Sequence, residues 1–333
     1  MRANKTGTKK WFTFNWALAL ILIVLFAVIA NINWVFLSFD YLMGVMLRNI
    51  VELGMMSLAV TLIIITGGID LSVGSTMVLA SMIGGIVSLH AGNTAGIIAA
   101  LLTGAMCGLF NGFLIAKMNI SPLVTTLATM YLYMGLARSI SKGDSVYSFP
   151  PSAWLGNTEL ARIPLQIFLY AALAFVFWFV LAKTTLGRKL YAIGLNENAA
   201  NFSGINTRRV KLFMYLLSGL ICAFAGLIWL GRFTSVKYDA GTSLGLKVVT
   251  IIVLGGTSID GGIGDMKGTI LATLIIAVLN SGLTLLNIPI AAQTIVHGMI
   301  LVVSLVSYFI LNQRVSRSRI MNLKIAADGS QQG

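Results

Sequence analysis

The chain reads as an all-α, polytopic membrane helical bundle of about ten transmembrane helices, two of them interrupted by glycine. Three observations predict this class. Of 333 residues, 57% are hydrophobic and only 10% charged, against about 25% charged in a soluble domain. Apolar runs recur along the whole length, separated by short basic stretches. A bilayer core about 30 Å thick takes about 20 apolar residues per helix. The spans therefore use nearly the whole chain and leave no room for a soluble catalytic domain.

In order, the apolar runs fall at 12–30, 50–66, 76–90, 94–116, 121–136, 164–182, 212–231, 244–254, 269–286 and 293–311. The first follows "MRANKTGTKKWF" and has the outline of a signal peptide, but its length and the spans after it predict an uncleaved first helix. The second begins near Glu52 and stops at Gly67–Gly68, and the third resumes after the polar stretch "IDLSVGS". Lys117 closes the fourth, and the fifth ends before Arg138. A basic loop, 183–211, separates the sixth from the seventh. The eighth is short and ends at Gly255–Gly256, and Lys267 precedes the ninth. The predicted organisation is a cytoplasmic tail, 1–11, one membrane domain, 12–312, containing the cytoplasmic loop 183–211, and a second cytoplasmic tail, 313–333.

Ten spans put both termini on one side. With both inside, 16 of the Lys and Arg residues lie inside and seven outside, as the positive-inside rule requires. The net charge of +13 is thus accounted for by topology and implies no nucleic acid. Cys107 and Cys222 both lie in apolar runs and read as small buried hydrophobes, with no metal-ligand spacing.

The glycine stops are the most informative local feature. Leu62–Gly68 and Thr250–Gly256 share the pattern x-Ile-Ile-x-x-Gly-Gly, with Asp70 two residues and Asp260 four residues beyond. Unwound backbone at membrane depth must be shielded by protein or wetted by a cavity, so paired broken helices point to a transport pathway. The alternative is a tight turn with Asp70 or Ser72 capping the next helix. The two readings are compatible. Asp70, Ser72, Asn111 and Thr125 are the candidate pathway or gate residues, chosen on polarity and position.

Ion-coupled carriers use ionisable groups deep in the membrane, and this chain has few. Glu52, Asp70, Asp260 and Asp265 are placed at or near helix ends. His297 alone lies inside a clear span and reads as an interhelical hydrogen-bonding group rather than a proton relay. The neutral polar groups Thr61, Thr126, Thr129, Ser218 and Asn280 serve equally as interhelical glue or as the lining for a hydroxyl-rich solute. An intramembrane enzyme would need a nucleophile–base pair or metal ligands, which His90 and His297, far apart in sequence, do not supply; no catalytic residue, metal or cofactor is assigned. No G-x-x-x-x-G-K-[ST] is present, so a nucleotide-driven motor would be another chain. In loop 183–211, "NENAANFSGI" predicts a short helix, with Asn196 as cap, Glu197 in the first turn, Ala199 and Ala200 within it and Gly204 as the stop. Its small residues suit the groove of a partner.

Three long stretches carry a resemblance: "GGIDLSVGS", "TTLGRKLYAIGLNENAANFSGIN" and "VVTIIVLGGTSIDGGIGDMKGTILATLIIAVLNSGL". They resemble the ribose-type permeases of bacterial ABC importers, in the branched-chain amino acid/ribose permease superfamily, over about residues 45–312. The resemblance implies ten helices, a permease pair (homo- or heterodimer), a cytoplasmic ABC ATPase, a periplasmic sugar-binding protein and a place in the inner membrane. It also implies that Gly187, Arg188, Gly194, Asn196, Glu197, Ala199, Ala200, Gly204 and Ile205 form the segment that couples to the ATPase. Leu195 departs from the small residue usual in that pattern. A nucleoside or branched-chain amino acid is the alternative cargo, and a stand-alone carrier or channel the alternative class.

Overall fold

A computed structural model describes residues 5–306, with side chains from Phe14 onward. The ends of both expected tails, 1–4 and 313–333, lie outside the described residues, as do residues 307–311 of the last expected span.

Each of the ten predicted runs meets a helix. These are α1 (Lys5–Ile32), α2 (Phe39–Ile65), α3 (Val73–Ala91), α4 (Asn93–Ala116), α5 (Pro122–Ser141), α7 (Leu165–Lys183), α10 (Thr207–Phe233), α11 (Leu244–Leu254), α12 (Met266–Leu285) and α13 (Ile290–Val306). Seven of them, all but α5, α11 and α13, are both long and apolar enough to cross a membrane. Between them stand the short helices α6 (Pro150–Asn157), α8 (Thr185–Leu195) and α9 (Glu197–Phe202). Two small antiparallel pairs complete the described residues: β1 (Val146–Tyr147) with β4 (Ser235–Val236), and β2 (Glu159–Leu160) with β3 (Ile163–Pro164).

α1 begins at Lys5 and so runs into the stretch read as a tail. The larger departure is in α2, which starts at Phe39 rather than near residue 50. Ser38 caps its first turn, its Oγ accepting from the Tyr41 amide at 3.3 Å, and the helix passes through a π-helical stretch, Leu42–Leu47, before Arg48. Glu52, expected at a helix end, therefore lies inside a helix. α2 is also the centre of the bundle: 89% of its most apolar window is buried, against 11% for α1. Every residue from Val51 to Ile65 is buried.

Close packing of backbones replaces large side chains around α10. Gly104, Gly108 and Gly112 recur every four residues along one face of α4 and meet Gly219 and Tyr215 of α10; a Cβ on Gly104 would stand 2.3 Å from the Gly219 carbonyl oxygen. Lipid gives helices little hydrophobic reason to associate, so small residues that let backbones touch supply the contact. Polar pairs add to it, such as the Thr61 and Thr269 hydroxyls, 3.0 Å apart between α2 and α12.

Candidate functional site

Both glycine stops form by the same local mechanism. At the end of α2, the Gly68 amide donates to the Ile63 carbonyl at 3.1 Å and the Gly67 amide to Ile64 at 2.9 Å, with Gly67 at φ +79°. At the end of α11, Thr257 donates to Ile252 at 3.2 Å and Gly256 to Val253 at 2.9 Å, with Gly256 at φ +84°. Each is a Schellman closure, which needs a left-handed residue that glycine alone adopts freely. The left-handed residue is the first glycine of one pair and the second of the other, so the two motifs are offset by one residue from their sequence alignment.

The structure brings the two breaks together. The Gly262 amide donates to the Ile65 carbonyl at 2.8 Å, and a Cβ on Gly261 would stand 2.7 Å from the Gly67 nitrogen. A third element, α8, seats on this contact: a Cβ on Gly194 would lie 1.9 Å from the Ile65 carbonyl oxygen and 2.2 Å from the Gly262 nitrogen. Leu195 covers Gly262, its side chain within 2.9 Å of where a Cβ there would point. The departure at Leu195 thus contributes a specific contact. Tyr191 of α8 donates its hydroxyl to the Gly264 carbonyl at 2.8 Å. Burial, and secondarily the Asp265 carboxylate, pushes the pKa of that hydroxyl up to about 12, so it stays a donor at neutral pH.

The rest of loop 183–211 folds as its local signals direct. Thr184 caps α8, accepting from the Gly187 amide at 3.4 Å, and a Cβ on Gly187 would meet the Leu181 carbonyl oxygen at 2.1 Å. Asn196 Oδ1 accepts from the Ala199 amide at 2.9 Å. Gly204, at φ +83°, closes α9 with the Ile205 amide on the Ala200 carbonyl at 3.1 Å. Glu197 pairs with Lys211 Nζ at 2.5 Å, tying α9 to α10. Arg188 and Ala199 face outward, whereas Ala200 is buried. Of the two alanines, only Ala199 presents a surface. Phe202 is 93% exposed, an apolar side chain that the sequence did not single out.

The polar candidates form a buried chain across four helices. Asp70 Oδ1 accepts from the Ser72 amide at 3.0 Å and the Ser72 hydroxyl at 2.7 Å, and its Oδ2 from Ser218 at 3.3 Å. Asn111 Nδ2 donates to the Ser72 hydroxyl at 2.8 Å. Tyr133 Oη donates to Asn111 Oδ1 at 3.2 Å and to the Cys107 carbonyl at 3.0 Å. Tyr215 adds a bond to the Ile69 carbonyl at 3.1 Å. Thr125 is buried, but its hydroxyl joins no hydrogen bond among the described residues. Sequence reading missed Tyr133 and Tyr215. The signal for Tyr133 was a stripe on α5, where Thr125, Thr129, Tyr133 and Ala137 recur every four residues and all are buried.

The family described as "Branched-chain amino acid transport system / permease component" matches residues 42–305. The chain belongs to this family. The match takes in both glycine breaks and the whole of loop 183–211, so these are parts of a multi-pass membrane permease. The ribose import permease protein RbsC of Escherichia coli (strain K12) is 32% identical over 314 residues, 91% of this chain and 98% of that relative. The protein of the same name from Bacillus subtilis (strain 168) is 36% identical over 266 residues, 78% of this chain and 82% of the relative. The autoinducer 2 import system permease protein LsrD of Klebsiella pneumoniae is 37% identical over 260 residues, 75% of this chain and 78% of the relative. No solved structure matches the permease.

Proposed function

We propose that the permease is the membrane subunit of an ABC importer that carries a sugar, of the ribose, xylose, galactose or rhamnose kind or related, across the bacterial inner membrane. The observation that carries this reading is the near end-to-end overlap with the E. coli ribose import permease. A separate ATPase drives it, a periplasmic binding protein delivers the sugar, and two permease subunits form the path. The family description names branched-chain amino acids, but the relatives above are named for ribose and autoinducer 2, which favours the sugar. The excess of basic residues on one side supports termini in the cytoplasm and loop 183–211 on the ATPase side. Gly187, Arg188, Gly194, Asn196, Glu197, Ala199, Ala200, Gly204 and Ile205 then build the coupling segment, some as its outward face and others as its seat. Asp70, Ser72 and Asn111, with Thr125 nearby in sequence order on α5, serve the pathway or its gate.

The reading is tested in liposomes holding the permease with its ATPase, supplied with the binding protein and labelled ribose. ATP-dependent uptake is expected. Full uptake without the ATPase would overturn the importer reading, and uptake of a branched-chain amino acid in place of sugar would overturn the cargo.

Docking has its own expected result. Ala199 and Phe202 are exposed on α9, so Ala199→Arg should reduce the ATPase recovered with the purified permease about tenfold, the equivalent of 1.4 kcal/mol at the interface. Permease yield should not change. Normal recovery would remove Ala199 from the contact.

A further inference from the structure

The geometry points to Tyr191 as the positioning residue that carries the movement of the coupling segment to α12, through its hydroxyl on the Gly264 carbonyl. This rests on the importer reading above and goes beyond it, because nothing in that reading assigns Tyr191 a role.

Besides its buried apolar side chains Leu190 and Ile193, helix α8 meets the two breaks through contacts of different chemistry at Gly194 and at Tyr191. At Gly194 the contact is backbone against the Ile65 carbonyl and the Gly262 amide. Packed atoms of this kind resist being pushed together, but the attraction between any one pair is only about 0.1–0.2 kcal/mol, so such a contact delivers a push far better than a pull. At Tyr191 the contact is a hydrogen bond of 2.8 Å, which is directional and holds in both senses. Leu190 and Ile193, on either side of Tyr191, are fully buried and nearly so, which fixes α8 to the bundle and keeps the ring from swinging away.

The acceptor's position gives the bond its reach. Gly264 directly precedes Asp265, whose Oδ1 caps α12 by accepting from the Lys267 amide at 3.2 Å. Asp265 Oδ2 accepts from Asn15 Nδ2 of α1 at 2.7 Å. A displacement of the Gly264 carbonyl therefore reaches the first turn of α12 and the α1 helix latched to it. The push at Gly194 goes instead to the ends of α2 and of the second break. One stroke of α8 thus acts on both broken regions, and the return stroke of α12 depends on the Tyr191 hydroxyl.

The test is Tyr191→Phe in the full complex with ATPase and binding protein in liposomes, reading labelled sugar taken up and ATP hydrolysed in the same sample. Phenylalanine keeps the ring and its packing. The expected result is a fall in sugar per ATP of roughly threefold to tenfold, the size set by one neutral hydrogen bond, with ATP hydrolysis within about twofold of wild type. Para-aminophenylalanine at 191, which restores a donor, should recover most of the ratio; a purely structural role would not give this pattern. An unchanged ratio overturns the inference and leaves the importer reading standing, as does a parallel fall in both activities. If Tyr191→Phe fails to accumulate while the amino variant accumulates, the hydroxyl serves folding and the inference is again overturned. Wild-type liposomes with no ATP-dependent uptake would overturn both.

Discussion

Glu52→Ala is expected to cost about 3–5 kcal/mol of stability, the consequence of stripping one partner from a buried ion pair. Arg232 Nε meets Glu52 Oε1 at 2.9 Å and its Nη2 meets Oε2 at 3.2 Å. The side chains are 6% and 1% exposed, so water cannot take over either charge. Around the pair a clasp joins α2, α6 and α10. Arg232 also donates to Asn49, and the Phe233 ring lies 4.2 Å from the guanidinium. Arg48 donates to the Gly156 carbonyl at 2.6 Å, and Asn157 donates to the Gly231 carbonyl at 2.9 Å. Removing Glu52 would leave a buried guanidinium with only Asn49 and aromatic faces. Removing both charges should be far milder, because replacing a whole buried pair by apolar residues is often neutral. The measurement is the temperature at which purified protein in detergent loses its monodisperse peak, for Glu52→Ala, Arg232→Ala and the double variant Glu52→Met/Arg232→Met. The single variants should fall well below wild type and the double variant should recover most of the difference. If the double variant were as unstable as either single one, the pair would contribute through its shape rather than its charge.

That clasp was invisible in the sequence, and the reason is physical. Signals that act within a few residues were read correctly in kind: the glycine stops, the Asn196 cap, the Gly204 closure of α9 and the ten apolar runs that became helices. Glu52 and Arg232 are 180 positions apart, and nothing local joins them. The start of α2 was misplaced because Arg48 and Glu52 look like a flank to a hydropathy argument. The helix in fact continues upstream of Arg48, through the apolar π-helical stretch Leu42–Leu47 to the Ser38 cap, past the charges that a hydropathy argument takes as its edge. Repetition marked the two breaks as related but could not say that they touch, since contact depends on how α2 and α11 cross. In α9, six residues are too few for a periodic pattern to separate outward Ala199 from buried Ala200. Tyr133 sat in an apolar run as one more aromatic until the neighbouring α4 gave its hydroxyl two acceptors, the Cys107 carbonyl and Asn111 Oδ1.

Asp70 separates two consequences that a helix cap alone would merge. Its carboxylate is 3% exposed and is held by three neutral donations, from the Ser72 amide, the Ser72 hydroxyl and Ser218. Asp70→Ala would orphan two buried hydroxyl donors at about 1–3 kcal/mol each, and the hydroxyl of Ser72 is also what Asn111 donates to. Poor accumulation of that variant is the expected result, measured by yield of monodisperse protein. Asp70→Asn keeps shape and one acceptor oxygen. It places two N–H donors where the second oxygen stood, so either Ser218 or Ser72 must turn its hydroxyl. Where Ser72 is the one that turns, the line from Tyr133 through Asn111 and Ser72 to Asp70 loses its single direction of donation; where Ser218 turns, the tie from that line to α10 is lost. This variant should accumulate near wild type while ATP-driven uptake falls about tenfold, the equivalent of 1.4 kcal/mol between the two states of the path. Ser72→Ala tests the same chain from its middle: it leaves the Asp70 bond to the residue 72 amide in place and orphans Asn111 Nδ2. Loss of uptake without loss of yield in both variants would place the hub in the moving part of the permease. Uptake at the wild-type rate in Asp70→Asn would reduce the carboxylate to the acceptor of the turn that leads into α3, because that turn needs only the one side-chain oxygen that asparagine retains.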